Sequence, residues 1–174
     1  CDEVLRLMHR RYDTQFFEDK INHIKKAIPD AFIGVDVIVG TRGETDKLFE
    51  KAFEFAKKID VSQYHVFSYS ERPGTAALNI PHKVSDQTKH ERSHRLIVLS
   101  EEKRKAFYAK YIGTIRPVLV EHCREKQVVR GFTDNYIRVE LPEIDQLQSD
   151  NNIIQVYLNG FNTDRSALIG SISK

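Results

Sequence analysis

The chain has 174 residues, of which 40% are hydrophobic, so it can bury a core and form one or two domains. Its 27 lysine and arginine residues nearly balance its 25 aspartate and glutamate residues, and a net charge of +2 argues neither for nor against a nucleic-acid partner. No stretch has the apolar length of a membrane span and no signal-peptide pattern opens the sequence, so a membrane partner is not predicted.

The N-terminal half predicts helices that alternate with strands. A short helix ends at the basic cluster of residues 9–11. Asp13 or Thr14 caps a second helix, whose apolar residues recur at helical spacing until Pro29 ends it.

The first predicted strand contains a single charged residue. Residues 32–39 are apolar on both faces apart from Asp36, which predicts a strand covered by helices on both sides of a parallel sheet. Thr45 caps the next helix, and residues 64–67 predict the second strand of a βαβ unit. A buried carboxylate needs a partner, so Asp36 either forms a structural pair or faces a ligand.

The region after residue 84 is helical and basic. Ser85 predicts the start of a charged helix ending near Leu99, and Ser100 predicts the start of another that continues to about Tyr111. A charge run of this type indicates a solvated helical face, with a basic flank toward RNA as the alternative. The basic residues of this region are Lys89, Arg92, Arg95, Lys103, Arg104, Lys105 and Lys110.

The sequence after Gly113 changes to short β-type runs. Turn residues separate these runs, which is typical of a small β-barrel. We therefore predict two domains, residues 1–112 and residues 113–174. The five predicted strands cover residues 115–120, 127–129, 136–141, 153–158 and 167–172.

Two glycine-bearing turns follow the two strands of the βαβ unit. Ligands of α/β proteins bind beyond the carboxyl ends of parallel strands, so the turns at residues 40–45 and 69–75 are expected to lie side by side at a site. Arg72, on the second turn, is suited to holding a carboxylate or phosphate, although solvation is the common fate of such an arginine. The amides of Gly40 and Gly43 and the helix start after them suggest the alternative of a phosphate-ester- or nucleotide-binding protein.

The predicted barrel mixes cations, amides and aromatic rings. In small barrels such side chains stack RNA bases and contact phosphates, and the alternative for the rings is a place in the barrel core. The residues are Arg130, Phe132, Asn135, Tyr136, Arg138, Tyr157, Asn159 and Phe161.

Metal binding is not indicated. Cys1 and Cys123 match no metal or redox spacing, and the pair His90 and His94 has no evident third ligand, so no metal site is predicted. Because the first residue is Cys1 rather than Met and leads directly into a helical pattern, we expect a fragment of a longer protein.

Several motifs, taken in order, resemble the radical-SAM methylthiotransferases. They lie at residues 2–12, 36–45, 69–76 and 91–92, and the run GFTDNYIRV at residues 131–139 resembles the TRAM domain of that family. The resemblance implies an α/β fold that is the last part of a radical-SAM (TIM-like partial) barrel, followed by a small all-β TRAM barrel. Members of the family install a methylthio group, mostly on tRNA adenosines beside the anticodon, and use S-adenosylmethionine and two iron–sulfur clusters.

The resemblance also implies roles for individual residues, although it assigns no catalytic residue. The residues expected to face substrate or cofactor are Asp36, Arg42, Tyr69 and Arg72. The residues expected to contact tRNA are Arg130, Tyr136 and Arg138.

Within the family, residues 135–139 resemble the branch that modifies threonylcarbamoyladenosine. The sequence departs from the family at Thr41 and Arg42, where Phe-Pro is usual, and it lacks the three cysteines of the CxxxCxxC loop. An iron–sulfur cluster requires a set of thiolates. We therefore expect the full-length parent, and not this chain, to hold [4Fe-4S] clusters and S-adenosylmethionine, and we expect the chain alone to be inactive.

The partner implied by the resemblance is tRNA, in the cytoplasm, with neither DNA nor a membrane as a partner. Two alternatives stay open at this point. The chain is a stand-alone RNA-binding module, or its parent acts on isopentenyladenosine tRNA or on a ribosomal protein.

Overall fold

The computed structural model describes residues 1–121, 128–142 and 152–173. They form two compact units, Cys1–Lys103 and Arg104–Lys174. The first unit is α/β and the second contains a closed β-barrel, as the sequence predicts. The domain boundary at residue 112 stays a prediction.

The first unit follows the predicted alternation of helices and strands. Asp13 accepts a hydrogen bond from the amide of Phe16, and Thr45 accepts one from the amide of Leu48, which confirms both as helix caps. The elements are α1 (Asp2–Leu7), α2 (Thr14–Ala27), β1 (Gly34–Val39), α3 (Asp46–Lys58), β2 (Gln63–Ser68), a 3₁₀ turn (Ala76–Asn79) and α4 (Asp86–Ala109), whose last six residues belong to the second unit.

Strands β1 and β2 are parallel and in register from the pair Gly34–Gln63 to the pair Val39–Ser68. Helices α2, α3 and α4 contribute side chains to a core on one face of this sheet, and that core includes Phe49 of α3. The buried residues of the core are Ile21, Val39, Phe49, Ala56, Ile59, Val61, Tyr64, Leu96 and Leu99.

The other face of the two-stranded sheet is exposed. Successive side chains of a strand point to opposite faces, so Val35 and Val37 pack against the core while Asp36 and Ile38 do not. Ile38 is 45% exposed and Phe67, its partner in the β1–β2 register, is 52% exposed. The prediction of a strand covered on both sides is therefore wrong for the residues that the structure describes.

Helix α4 is continuous, and the predicted break at Ser100 is wrong. Ser85 caps its start by accepting a hydrogen bond from the amide of Thr88 at 3.1 Å. The hydroxyl of Ser100 is buried and bonds to the backbone of Tyr64, accepting from the amide at 2.8 Å and donating to the carbonyl at 2.9 Å. This serine, which resembles a cap in the sequence, therefore satisfies the backbone of strand β2 from the middle of the helix.

The second unit is a closed barrel with the strand order β3-β4-β5-β7-β6. The start of the predicted strand at residues 127–129 lies outside the described residues. All neighbouring pairs are antiparallel except β5 and β7, which are parallel. The strands are β3 (Ile115–Glu121), β4 (Val128–Thr133), β5 (Arg138–Pro142), β6 (Ile153–Phe161) and β7 (Leu168–Ile172).

The barrel interior is apolar and closely packed. A β-carbon added at Gly131 would lie 2.4 Å from the carbonyl oxygen of Leu119, so strands β3 and β4 approach too closely there for any side chain. The interior side chains, all at most 2% exposed, are Val118, Val120, Ile137, Val139, Leu141, Val156, Leu158, Ala167 and Leu168.

Candidate functional site

The two predicted turns lie side by side at the carboxyl ends of β1 and β2. The amide of Tyr69 donates to the carbonyl of Val39 at 2.8 Å, which continues the strand pairing into the turns. Arg42, on the first turn, donates from Nε to the carboxylate of Glu71, on the second, at 2.7 Å. A backbone bond and an ion pair therefore join the turns, as the parallel sheet predicts.

The guanidinium of Arg42 is half-buried and committed to the protein. Besides Glu71, it donates from Nη1 to the carbonyls of Leu78 at 3.0 Å and Ile80 at 3.2 Å. Lys83 also pairs with Glu71, at 3.3 Å. These partners, led by the hydrogen bond from Arg42, hold the pKa of the Glu71 carboxyl below its usual value.

The amides of both glycines of the first turn form hydrogen bonds within the protein. The amide of Gly40 donates to the carboxylate of Glu44 at 3.1 Å, and the amide of Gly43 donates to the carbonyl of His82 at 2.9 Å. Both glycines have positive φ, 74° and 81°, as such a tight turn requires. The amides of Gly40 and Gly43 are thus already bonded to Glu44 and His82, so neither glycine amide is available to a phosphate.

A buried ion pair, which the sequence does not reveal, fixes this turn to α4. Arg92 donates from Nη1 to the carboxylate of Glu44 at 2.7 Å and to its carbonyl at 2.9 Å. Its Nη2 donates to Asp46 at 2.6 Å, and its guanidinium lies 5.1 Å from the ring centroid of Phe49. The adjacent acids Glu44 and Asp46 were the available sequence signal for an ion pair. Their partner, Arg92, is 48 and 46 residues away, so the sequence does not identify it.

The second turn borders a polar pocket of about 520 Å³. Arg72 itself is exposed and forms no side-chain hydrogen bond or ion pair within the described part of the chain. Lys89, which the charge pattern assigned to a solvated face, is buried, and its ammonium group contacts Asp86 at 3.0 Å. The pocket is lined by Ser68, Tyr69, Ser70, Glu71, Lys83, Asp86, Lys89 and His90.

Asp36 differs from the expectation of a buried carboxylate. It is exposed, lies on the uncovered face of the sheet and pairs in register with His65. A pocket of about 630 Å³ borders β1, and its lining includes Asp36 and Thr41. The Thr41 hydroxyl is buried and has no hydrogen-bond partner within the described residues. Of the four residues predicted to face substrate or cofactor, Asp36 lies on β1 itself and Arg42, Tyr69 and Arg72 lie on the turns.

The three predicted RNA contacts of the barrel lie on β4, β5 and the hairpin between them. Arg130 and Glu140 form a cross-strand ion pair with an N–O distance of 3.2 Å. The next outward-facing pair along the same two strands is Phe132 and Arg138. The structure therefore brings Arg130 and Arg138 to neighbouring outer positions of the barrel, with an aromatic ring beside them.

Tyr136 occupies the tip of the β4–β5 hairpin. It has a positive φ of 65°, is 61% exposed and stacks on Phe132 with ring centroids 5.0 Å apart. The Thr133 hydroxyl fixes the hairpin by donating to the side chain of Asn135 at 2.7 Å and accepting from the amide of Ile137 at 2.8 Å. A non-glycine residue with positive φ is uncommon and marks a backbone that its surroundings determine.

Neither unit presents a metal-binding cluster in the parts of the chain that the structure describes. Groups of three His, Cys, Asp or Glu side chains that could hold a metal ion do not occur there. Within the same residues, no helix has the length and apolar character that crossing a membrane requires.

The sequence is similar to curated tRNA-modifying enzymes. It is 39% identical over 140 residues to the threonylcarbamoyladenosine tRNA methylthiotransferase MtaB of Bacillus subtilis, covering 78% of this chain and 31% of the relative. The enzyme of the same name from Aquifex aeolicus is 36% identical over 140 residues, covering 80% and 33%. The tRNA-2-methylthio-N(6)-dimethylallyladenosine synthase of Caldicellulosiruptor saccharolyticus is 33% identical over 131 residues, covering 75% and 28%. No protein-family model matches the chain.

These similarities confirm the family that the sequence motifs indicate. The chain belongs to the radical-SAM methylthiotransferase family and resembles members of its threonylcarbamoyladenosine branch. It spans about a third of the length of the curated relatives that it matches.

Proposed function

We propose that this chain is the C-terminal part of a tRNA methylthiotransferase that modifies threonylcarbamoyladenosine next to the anticodon. The observation that carries the proposal is the 39% identity to the Bacillus subtilis enzyme over 78% of the chain. In this proposal residues 1–112 are the last part of a radical-SAM barrel and residues 113–174 are a TRAM domain that binds RNA.

The architecture of the first unit supports this assignment. Among the described residues, helices cover its parallel strands on one face, and the exposed face carries Asp36, Ile38 and Phe67. In a parallel barrel the helices lie outside, the inner faces of the strands form the interior, and the site lies at the carboxyl ends of the strands. Asp36 would then face the barrel interior, and the turns with Arg42, Tyr69 and Arg72 would lie at its mouth.

The surface of the barrel supports RNA as the partner. The exposed ring of Tyr136, which stacks on Phe132, offers an unpaired base a face for stacking. Arg138, which lies opposite Phe132 on the neighbouring strand, supplies a cation. The ion pair with Glu140 makes Arg130 the weaker candidate of the two arginines.

The residues of this chain do not fit an iron–sulfur cluster. The sequence contains two cysteines, whereas a [4Fe-4S] cluster is held by a larger set of thiolates. We therefore assign the clusters and S-adenosylmethionine to the full-length parent, and the chain's own role is to bind and orient tRNA. Methylthio transfer by these residues alone is not expected.

Binding of a fluorescent anticodon stem-loop tests the RNA partner. We expect the chain to bind it with an affinity that falls as salt rises, because each phosphate contact releases counterions. Tyr136→Ala should weaken binding about fivefold or more through lost stacking. Ile153→Ala, which removes another large exposed side chain of the barrel, is the control. Equal losses in both variants would contradict the assignment of the hairpin tip.

The substrate is tested in a strain whose tRNAs carry threonylcarbamoyladenosine and dimethylallyladenosine without the methylthio group. The full coding region, expressed in this strain, should restore the methylthio group on the first of these nucleosides, as measured by mass spectrometry of tRNA digests. Restoration on dimethylallyladenosine instead would assign the parent to the other branch.

A stand-alone RNA-binding module is the second candidate function, and the small number of cysteines favours it. Both functions include RNA binding, so binding alone does not separate them. Restored methylthiolation by the full coding region supports the transferase, whereas RNA binding without any such restoration supports the module.

A further inference from the structure

We propose that the loop of residues 70–80 is an RNA-phosphate-binding element, in which Arg72 contacts the phosphate and Arg42 is a positioning residue. The inference rests on RNA as the partner in the proposed function. It goes beyond that function by assigning a phosphate contact to the α/β unit, and it gives Arg42 a role different from direct contact with substrate.

The hydrogen bonds of Arg42 connect it to both ends of this loop. Its guanidinium binds Glu71 near the start of the loop and the carbonyls of Leu78 and Ile80 near the end. Within the loop, the Thr75 hydroxyl donates to the carbonyl of Arg72 at 2.9 Å and closes a turn. One planar, permanently charged group therefore closes the loop from outside it, and a point charge such as lysine could not reproduce this fork.

The loop leaves one cation uncommitted. Glu71, next to Arg72 in sequence, pairs with Arg42 and Lys83, so the nearest carboxylate in sequence does not neutralise Arg72. The adjoining pocket of about 520 Å³ adds Lys89 and His90 to its lining. Lys83 and Lys89 balance Glu71 and Asp86 in this lining, so the positive charge that favours an anion such as a phosphodiester comes from Arg72 on the adjoining loop.

Substituting Glu71 tests the inference through the direction in which RNA affinity changes. Removing a carboxylate from an RNA-binding surface raises affinity when only net charge matters. If Glu71 acts by holding the loop through Arg42, its removal instead lowers affinity, because the loop that carries Arg72 loses its closure. The two accounts predict opposite changes for Glu71→Ala.

The experiment measures binding of a fluorescein-labelled anticodon stem-loop to the 174-residue chain at several salt concentrations, together with amide hydrogen exchange of residues 71–80. Arg72→Ala should weaken binding about fivefold and reduce the slope of log affinity against log salt by about one phosphate contact. Lys47→Ala, which removes an exposed cation of α3, is the control and should change neither.

Glu71→Ala should weaken binding about threefold and increase exchange in the loop, because an ordering interaction is lost. Glu102→Ala, which removes an exposed carboxylate of α4, should leave affinity unchanged or raise it. Arg42→Lys keeps the charge but should behave like Glu71→Ala. Combining Glu71→Ala with Arg72→Ala should cost no more than Arg72→Ala alone, since residues that act through one another are not additive.

Each outcome decides a separate point. Raised or unchanged affinity of Glu71→Ala, or full affinity of Arg42→Lys, overturns the positioning role while RNA binding by the unmodified chain stands. Unchanged binding of Arg72→Ala overturns the phosphate contact. A chain that does not bind the stem-loop at any salt concentration overturns both this inference and the RNA partner of the proposed function.

Discussion

The strands of the two units differ in how many neighbours they have and in which faces are covered. In the barrel every strand has a neighbour on both sides, so the ring closes and its apolar side chains have a common interior. In the α/β unit the sheet has two described strands, one face packs on helices, and the other exposes Ile38 and Phe67. Closure removes sheet edges, whereas an open two-stranded sheet retains them.

This difference shows which interactions determine the fold of each unit. The fold of the barrel is determined by the alternation of inward and outward side chains along its own strands, because each inward side chain packs against inward side chains of the same unit. The α/β unit is specified on its helix-covered face, where Arg92, Glu44 and Ser100 form buried polar contacts between α4 and the sheet or its turns. Under the proposed function, its exposed face would belong to the interior of a larger parallel barrel.

The largest effect is expected from filling the close approach inside the barrel. Gly131→Ala places a β-carbon 2.4 Å from a backbone oxygen and 2.7 Å from Cγ1 of Val118, so it should destabilise the barrel by about 3 kcal/mol. Gly160→Ala is the control, because an added β-carbon there meets no atom within 4 Å. Urea unfolding followed separately in each unit measures the difference, and equal stability of the two variants would contradict the described register.

A smaller loss should follow from removing the buried hydroxyl that joins α4 to β2. Ser100→Ala leaves the amide and carbonyl of Tyr64 without their side-chain partner, which should cost about 1–3 kcal/mol in the free energy of unfolding. Ser93→Ala serves as the comparison, because its hydroxyl bonds to Ser68 at an exposed position and should cost about 0.5 kcal/mol or less. A break of α4 at Ser100 would make the two substitutions indistinguishable.

Neighbouring residues of β1 distinguish the covered face from the exposed one. Val39→Ala removes two methyl groups from the core and should cost about 2 kcal/mol, because Val39 is 2% exposed. Ile38→Ala removes more atoms, yet it should cost under about 1 kcal/mol, because that side chain is already partly hydrated. Thermal unfolding of both variants gives the comparison. A larger loss for Ile38→Ala would show that its face is covered in solution.

The smallest expected effect is a loss of order at acidic pH in the loop that Arg42 closes. Hydrogen bonding to Arg42 lowers the pKa of Glu71 from its ordinary value of 4.5, so the pair is fully formed above about pH 4.5 and is lost as the pH falls through the lowered pKa. Amide exchange of residues 71–80 should therefore lose protection at acidic pH, after correction for the intrinsic rate. Glu71→Gln should remove that pH dependence, and an unchanged acid response in this variant would assign it to another carboxyl group.

The sequence predicted much of the local structure because the deciding interactions lie within a few residues. Thr45 and Ser85 are identified as caps by their position before helical patterns, as is the pair Asp13 or Thr14, of which the structure selects Asp13. The barrel strands follow from alternation and turn residues, and the described strands confirm the barrel with shifts at their ends. The family followed from ordered motifs, which the curated relatives support.

Only the tertiary structure decided what the polar side chains of the candidate site contact. Arg42 and Arg92 are equally charged in the sequence, yet one closes a loop and the other is buried against Glu44, because their partners are separated from them by 29 and 48 residues. The exposure of Asp36 likewise depends on which face of β1 the helices cover. Propensity and periodicity fix the elements, whereas the pairing of distant charges follows only from the packing of those elements.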